Sequence, residues 1–408
     1  MKAISNTFRI TLTGMLCLAV AMGIGRFAFT PLLPMMMSDG LLNIPGASLL
    51  ASANYLGYMV GALLCAAQPW LWRRLGRSAP VNGPLMVRAG LLATTLVTLG
   101  MALQVPTLWP VLRFAAGLAG AFVMVYTSGW CLSQLAQLDA GALGGVIYAG
   151  PGVGIVVSGL AASAMVASGQ HSAMGWLAFG LLAAVLTFLI WPLFTPGHEP
   201  SQAQDTPTRP AQGAQASSLE IGLCALTYGC SGFGYIITAT FLPVIARQAL
   251  PGSAWLDMFW PTFGAGVVTG ALLATRVRIA GDLRLPLAAC YGVQAVGVAL
   301  SIWSPTLWGL ALGSLLLGLP FTAVTFFTMQ EARRLAPTSA PGMMGLLTGC
   351  FGIGQVVGPP LVAWMLSRGA SQAAGFHASL EIATAALVLG MVILLSMVRL
   401  HPIKHAQM

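Results

Sequence analysis

Arg26 and Arg113 are the residues of this chain most able to do chemistry, because each lies inside a long apolar run. A charge within hydrocarbon is costly, and it normally faces a cavity or a partner. The two runs are traversed in opposite directions, which puts both guanidiniums at similar depth in a half with no carboxylate deep in its runs. Planar guanidinium forks grip a carboxylate in bidentate fashion, so the pair favours an anionic ligand. The alternative is that each arginine caps backbone carbonyls or a helix end. Tyr235 stands 209 residues after Arg26, at the corresponding place in the second half of the chain. A phenol then opposes a guanidinium across a cavity with one charged and one aromatic wall, unless Tyr235 only packs and satisfies its hydroxyl locally. Tyr58, Tyr126 and Gln355 are further cavity candidates, with Asn54, Tyr55, Tyr148 and Gln294 adding polarity. Each of these has the alternative role of a helix-to-helix hydrogen bond.

Proton coupling calls for a carboxylate or histidine that titrates inside the membrane. Glu381 and Asp257 are the candidates, although either can reach the interface instead. Asp39, Asp139, Glu220, Asp282 and Glu331 fall at the ends of apolar runs, where ion pairs with nearby arginines are expected. His401 and His405 are at helical spacing, but no third ligand accompanies them, so neither a metal nor any other cofactor is expected. The seven cysteines all fall within apolar stretches and read as buried free thiols. No nucleophile, base and orienting group come together in the sequence, so enzymatic activity is not expected.

The elements that must position these residues follow from composition. Of the 408 residues, 57% are hydrophobic and 7% are charged, and the mean hydropathy is +0.84. Soluble chains carry about 25% charged residues, so a water-soluble fold is excluded. A helix crosses a bilayer with roughly 20 apolar residues. Apolar segments at 9–35, 47–71, 84–104, 107–133, 140–167 and 172–194 are followed by others at 219–246, 253–275, 285–303, 306–330, 341–367 and 374–398. That predicts an all-α membrane protein of twelve transmembrane helices in two six-helix bundles, residues 1–194 and 219–408. The stretch 195–218, rich in Pro, Gln, Ala, Ser and Thr, reads as a cytoplasmic linker. Lys2 and Arg9 precede the first run as in a signal peptide, but no small-residue cleavage site follows, so the run reads as the first span.

Charge placement predicts the orientation. Lys2, Arg9, Arg73, Arg74, Arg77, Arg88, Arg209, Arg276, Arg278, Arg284, Arg333, Arg334, Arg399 and Lys404 fall on one side, and only Arg247 and Arg368 on the other. Cytoplasmic flanks hold the excess of Lys and Arg, so both termini are expected in the cytoplasm. The formal net charge of +9 is explained by this topology, and nucleic acid is not an expected partner.

The halves echo each other. Gly23, Gly25 and Pro34 recur at the same spacing as Gly232, Gly234 and Pro243, and Gly152 and Gly154 recur as Gly352 and Gly354. Such repeats mark transporters that rock one half against the other around a central site. Small residues at four-residue spacing, as in Gly57 and Gly61 or Gly266 and Gly270, let helix backbones approach in lipid. Gly150-Pro151 and Gly358-Pro359-Pro360 are expected to form flexible or kinked points, since proline removes a backbone donor.

Several motifs resemble those of the major facilitator superfamily. Arg113 with Gly117 and Ala121 resembles the arginine-bearing motif of its fourth helix, and Gly150-Pro151 with Gly154 partly resembles the Gly-Pro motif of its fifth, which is associated with antiporters. Arg73-Arg74-Leu75-Gly76-Arg77 resembles the loop between helices two and three, with Arg73 in place of the usual Asp. Gly23-Ile24-Gly25-Arg26-Phe27, Asn54-Tyr55-Leu56-Gly57-Tyr58 and Gly232-Phe233-Gly234-Tyr235-Ile236 look like the YbfB/YjiJ-type family of bacterial facilitators. The resemblance implies a twelve-helix monomer in the bacterial inner membrane that moves a small organic solute by alternating access. The paired arginines favour an anion, and the partial Gly-Pro motif of the fifth run favours protons as the coupling ion. An efflux antiporter with no anion preference is the alternative, and a non-transporting sensor or scaffold is a third class. Arg74, Gly76 and Arg77, with Gly150, Pro151, Gly358 and Pro359, would then serve conformational change.

Overall fold

The computed structural model describes residues 2–76, 81–194, 217–253, 255–276, 281–336, 340–368 and 371–402. Helices are the only regular structure among them, as expected where lipid offers the backbone no hydrogen bonds. Twelve are long and apolar enough to cross a membrane. Spans one to six are Asn6–Ser38, Ile44–Gln68, Gly83–Met101, Trp109–Gln137, Leu143–Ala167 and Ser172–Leu193. Spans seven to twelve are Ser218–Ala249, Leu256–Ala274, Arg284–Trp303, Leu307–Leu335, Gly342–Arg368 and Gln372–Leu400. Most of the expected linker, 195–216, and Arg77, Arg209, Arg278, Lys404 and His405 lie outside the described residues.

Several boundaries are set by capping side chains. Asn43 Oδ1 accepts from Gly46 N at 2.9 Å, Asn82 Oδ1 from Leu85 N at 2.9 Å and Ser217 Oγ from Glu220 N at 3.1 Å. Thr306 and Ser371 do the same for spans ten and twelve. Each cap supplies an acceptor for one of the amide hydrogens that the first helical turn leaves unpaired.

Spans one and seven form the centre: 94% and 83% of their most apolar stretches are buried, against 28–56% elsewhere. An even number of crossings puts residues 2 and 402 on one side, the termini side. On the far side the halves are tied together. Thr30 Oγ1 donates to Ala239 O at 3.1 Å, Tyr55 and Thr240 share a hydroxyl bond of 2.8 Å, and Ser52 Oγ donates to Val356 O at 2.9 Å. Thr30 and Ala239 are 209 residues apart, the offset that relates Arg26 to Tyr235, so the tie joins matching positions of the two halves. Toward the termini side Phe8, Leu219 and Leu226 of the central spans are exposed, while Gly145 of span five packs on Thr275 at the end of span eight.

The glycine repeat of the sequence is one packing contact used twice. A Cβ on Gly23 of span one would lie 2.4 Å from Gly154 Cα of span five, and one on Gly354 of span eleven would lie 2.3 Å from Gly229 O of span seven. Both contacts are with backbone, which cannot step aside as a flexible side chain can. Gly154→Val is therefore expected to cost about 1–3 kcal/mol or more, read as a lowered Tm of the detergent-purified protein. A Tm equal to that of the parent would show that spans one and five do not meet at this point.

The carboxylates at span ends behave largely as the sequence suggests. Fully buried Arg284 binds Asp282 at 2.6 Å and Glu220 at 3.4 Å, and Arg334 binds Glu331 at 2.6 Å and also Glu220. Arg284 also donates to Met397 O and His401 O at the end of span twelve, and Arg88 donates to Trp191 O at the end of span six. Asp39 joins His171 and the Ser172 amide on the far side, whereas Asp139 is exposed at positive φ. Partial burial works against the Asp282 carboxylate, but hydrogen bonds and charge from Arg284 outweigh it and hold its pKa below the usual range. A lowered folded-state pKa gives stability that is present above the unfolded value and lost as pH falls through the folded one. Tm should thus hold steady from neutral pH to about pH 5 and decline below about pH 4, with Asp282→Asn flattening part of that decline. An unchanged acid limb in the Asn variant would remove Asp282 from the account.

Candidate functional site

Span one is not a continuous α-helix. It passes through a π-helical segment Ala19–Ile24 and a turn at residues 25–28 before the helix resumes as Phe29–Ser38. A break leaves carbonyls without their intrahelical donors, and within a membrane they need others. Arg113 of span four supplies them: Nη1 donates to Gly25 O at 3.0 Å and Nη2 to Arg26 O at 2.8 Å. Its guanidinium lies 5.0 Å from the Phe29 ring centroid and 6.0 Å from that of Trp176. Asn54 Nδ2 in turn donates to Arg113 O at 2.9 Å, fastening span two to span four.

With the turn fixed, Arg26 points at the second half. Its Nη2 donates to Gln355 Oε1 of span eleven at 2.9 Å, and Gln355 Nε2 donates to the Tyr235 hydroxyl of span seven. Tyr58, Tyr55 and Phe27 surround the guanidinium carbon, with ring centroids at 4.3, 5.1 and 5.3 Å. Ring faces attract a cation most when water is excluded, and Arg26 is 4% exposed. The Arg26 Nε hydrogen has no acceptor among the described residues. None of their carboxylates is within ion-pair distance of this arginine. The site is a buried cation with an amide carbonyl and aromatic faces for company, and with donor capacity to spare.

Arg26, Tyr58, Tyr235 and Gln355 are thus brought together, and the other named residues are not. Arg113 is turned to backbone carbonyls, which is the capping alternative and not a cavity wall. Tyr126 is half-buried beside Gly83 at the start of span three. Asp257 pairs with Arg247 at 2.6 Å between spans seven and eight, and Glu381 pairs with His377 at 3.3 Å on the largely exposed span twelve. Neither carboxylate is placed to titrate beside Arg26. Gln294 donates to Leu317 O, a bond between spans nine and ten.

Of the conformational residues, Arg74 covers the Trp70 ring at 4.6 Å and Gly76 turns the chain at φ 65°. Span five changes from a 3-10 segment, Gly141–Ala149, to α-helix at Gly150-Pro151. Gly358 lets span eleven close on Ile236, and the helix Ala340–Arg368 runs unbroken through Pro359 and Pro360. Phe321, Phe351 and Tyr228 also border the centre and were not singled out by the sequence. Two apolar grooves of about 540 and 370 Å³, beside Phe8 and Leu56 respectively, have no Arg26 in their walls.

The profile of the family described as "Uncharacterised MFS-type transporter YbfB" matches residues 18–395, all but the ends of the chain. The chain belongs to that family. No curated protein sequence matches this YbfB-type facilitator. Two crystal structures of the nucleoside transporter NupG share its fold. A NupG variant aligns with a TM-score of 0.69 at 16% identity, covering 95% of this chain and 99% of the other. A second NupG structure aligns at 0.66 and 16% identity over 96% and 98%. The YbfB-type facilitator is therefore a multi-pass membrane transporter of the major facilitator superfamily and not an enzyme. Its two halves meet around Arg26.

Proposed function

We propose that this facilitator carries a small organic anion across the bacterial inner membrane by alternating access, coupled to protons, with Arg26 as the anion-binding group. The observation that carries the reading is a buried guanidinium on the axis between the halves with no carboxylate of the described residues beside it. An unpaired charge in such a place is expensive, and a substrate carboxylate supplies the missing partner. Gln355 Oε1 occupies the place that a carboxylate oxygen takes when substrate arrives. Tyr235, hydrogen-bonded to Gln355, registers that exchange in the second half.

The excess of Lys and Arg on the termini side supports a cytoplasmic location for both ends. The far-side ties of Thr30, Ser52 and Tyr55 then lie toward the outer face. In this reading the transporter works as a monomer. Because Asp257 and Glu381 are remote from Arg26, proton coupling is assigned to the transport cycle and to no named carboxylate. The partial likeness of Gly150-Pro151 with Gly154 to the superfamily's antiporter motif supports an antiporter as the second reading, in which the solute is expelled without anion preference.

Reconstituted vesicles supplied with a metabolite panel, with and without an imposed pH gradient, test both readings. Carboxylates should be carried, faster with the gradient. Equal transport of neutral and anionic solutes would favour the antiporter reading, and indifference to the gradient would remove the proton.

A further inference from the structure

Phe27 of span one and Tyr55 and Tyr58 of span two lie at the cation, and beside them Tyr228 and Tyr235 of span seven, Phe321 of span ten and Phe351 of span eleven pack on one another, with Phe321 also meeting Phe27 at 6.1 Å. Tyr228 and Tyr235 are seven residues apart, two helical turns, and so share one face of span seven. Phe351 stacks with both, at 4.5 Å and 27° for Tyr228 and at 5.9 Å and 18° for Tyr235. Phe321 meets Tyr235 edge-on at 5.4 Å and 73°. In the other half, the Tyr58 ring lies over the guanidinium at 4.3 Å.

Burial divides these rings into two groups. Phe27, Tyr55, Tyr228 and Tyr235 are closed off, as is Arg26, whereas Tyr58, Phe321 and Phe351 are only half-buried. The partly exposed rings of the cluster therefore come from both halves, and the Arg26 Nε near Tyr58 has no partner among the described residues. Ring edges and faces prefer offset-stacked and edge-on aromatic neighbours to saturated carbon of the same size.

We infer that the site selects a flat aromatic or heteroaromatic carboxylate, its acid group on Arg26 and its ring among Tyr58, Phe321 and Phe351. The inference rests on the anion reading above and adds the ring to it. A saturated ring fills the same volume without the edge-on and stacked contacts, and a neutral aromatic leaves the guanidinium unpaired.

The test is thermal stabilisation of the purified full-length protein by benzoate, cyclohexanecarboxylate and benzamide. Benzoate should reach half-maximal stabilisation at a concentration at least about tenfold below that for cyclohexanecarboxylate, from the contribution of one or two aromatic contacts. Benzamide should give no shift. Phe351→Leu should bring the two carboxylates to within about twofold of each other, and Phe321→Leu serves the same purpose should the first variant fold poorly. Equal potency of benzoate and cyclohexanecarboxylate in the parent protein would overturn the aromatic preference and leave the anion reading standing. Benzamide as potent as benzoate would overturn the anion reading itself. No shift with benzoate at any concentration would overturn the inference outright.

Discussion

Arg26→Ala is expected to silence transport while the protein still inserts and folds. Removing one partner of a buried charged hydrogen-bonded pair costs about 2–5 kcal/mol of binding, so substrate affinity should fall by roughly 30-fold to several thousandfold. The effect on the empty protein has the other sign. Without substrate the guanidinium is a buried charge held by one amide carbonyl and by ring faces. Replacing a buried ionic group with apolar atoms of similar volume is often neutral or stabilising, and Arg26→Met should therefore match or exceed the parent Tm. Arg26→Lys keeps the charge but loses the planar fork, and belongs between the two in affinity. Uptake by reconstituted vesicles and Tm with and without a carboxylate ligand give both halves of the prediction. Full transport by Arg26→Ala would end the assignment of this residue as the anion-binding group.

Much of the architecture was legible before any coordinates, because a bilayer constrains sequence so strongly. Apolar length gave the twelve spans, while the asymmetry of Lys and Arg proposes an orientation for them. The glycine repeat was also readable, and it proved to be the contact of span one with five and of span seven with eleven. Span ends were less sharp: the segment expected at 47–71 is the span Ile44–Gln68, begun early by the Asn43 cap. The C-half ion cluster was anticipated as span-end pairing, but not that Arg284 would collect the carbonyl ends of span twelve.

What sequence concealed are contacts between residues far apart in the chain. The break in span one lies one turn before Pro31, which cannot donate to the Phe27 carbonyl, but nothing local tells that the freed carbonyls of Gly25 and Arg26 are satisfied from span four. Gln355 could be named as polar, yet its bond to Arg26 joins residues 329 apart, and nothing local distinguishes it from Gln294, which only ties two helices. The same limit applied to the aromatic cluster. Phe321 and Phe351 read as ordinary apolar residues until spans ten and eleven are placed beside span seven.

Arg113 is the sharpest instance, since the sequence describes it in the same terms as Arg26. The structure separates them by what each fork faces: an amide and rings for Arg26, two main-chain carbonyls for Arg113. Arg113→Ala should therefore damage the fold first. It leaves Gly25 O and Arg26 O without these donors, and each unsatisfied buried group costs about 1–3 kcal/mol. Native proteins are stable by only about 5–15 kcal/mol, so a large drop in Tm and poor recovery from the membrane are expected. Lysine cannot restore both bonds with the geometry of a planar fork, and Arg113→Lys should recover only part of the loss. Loss of transport in these variants should accompany loss of Tm, because the turn that aims Arg26 is no longer held. The opposite pattern, a parental Tm with anion binding abolished, would make Arg113 a ligand group and return both arginines to the substrate.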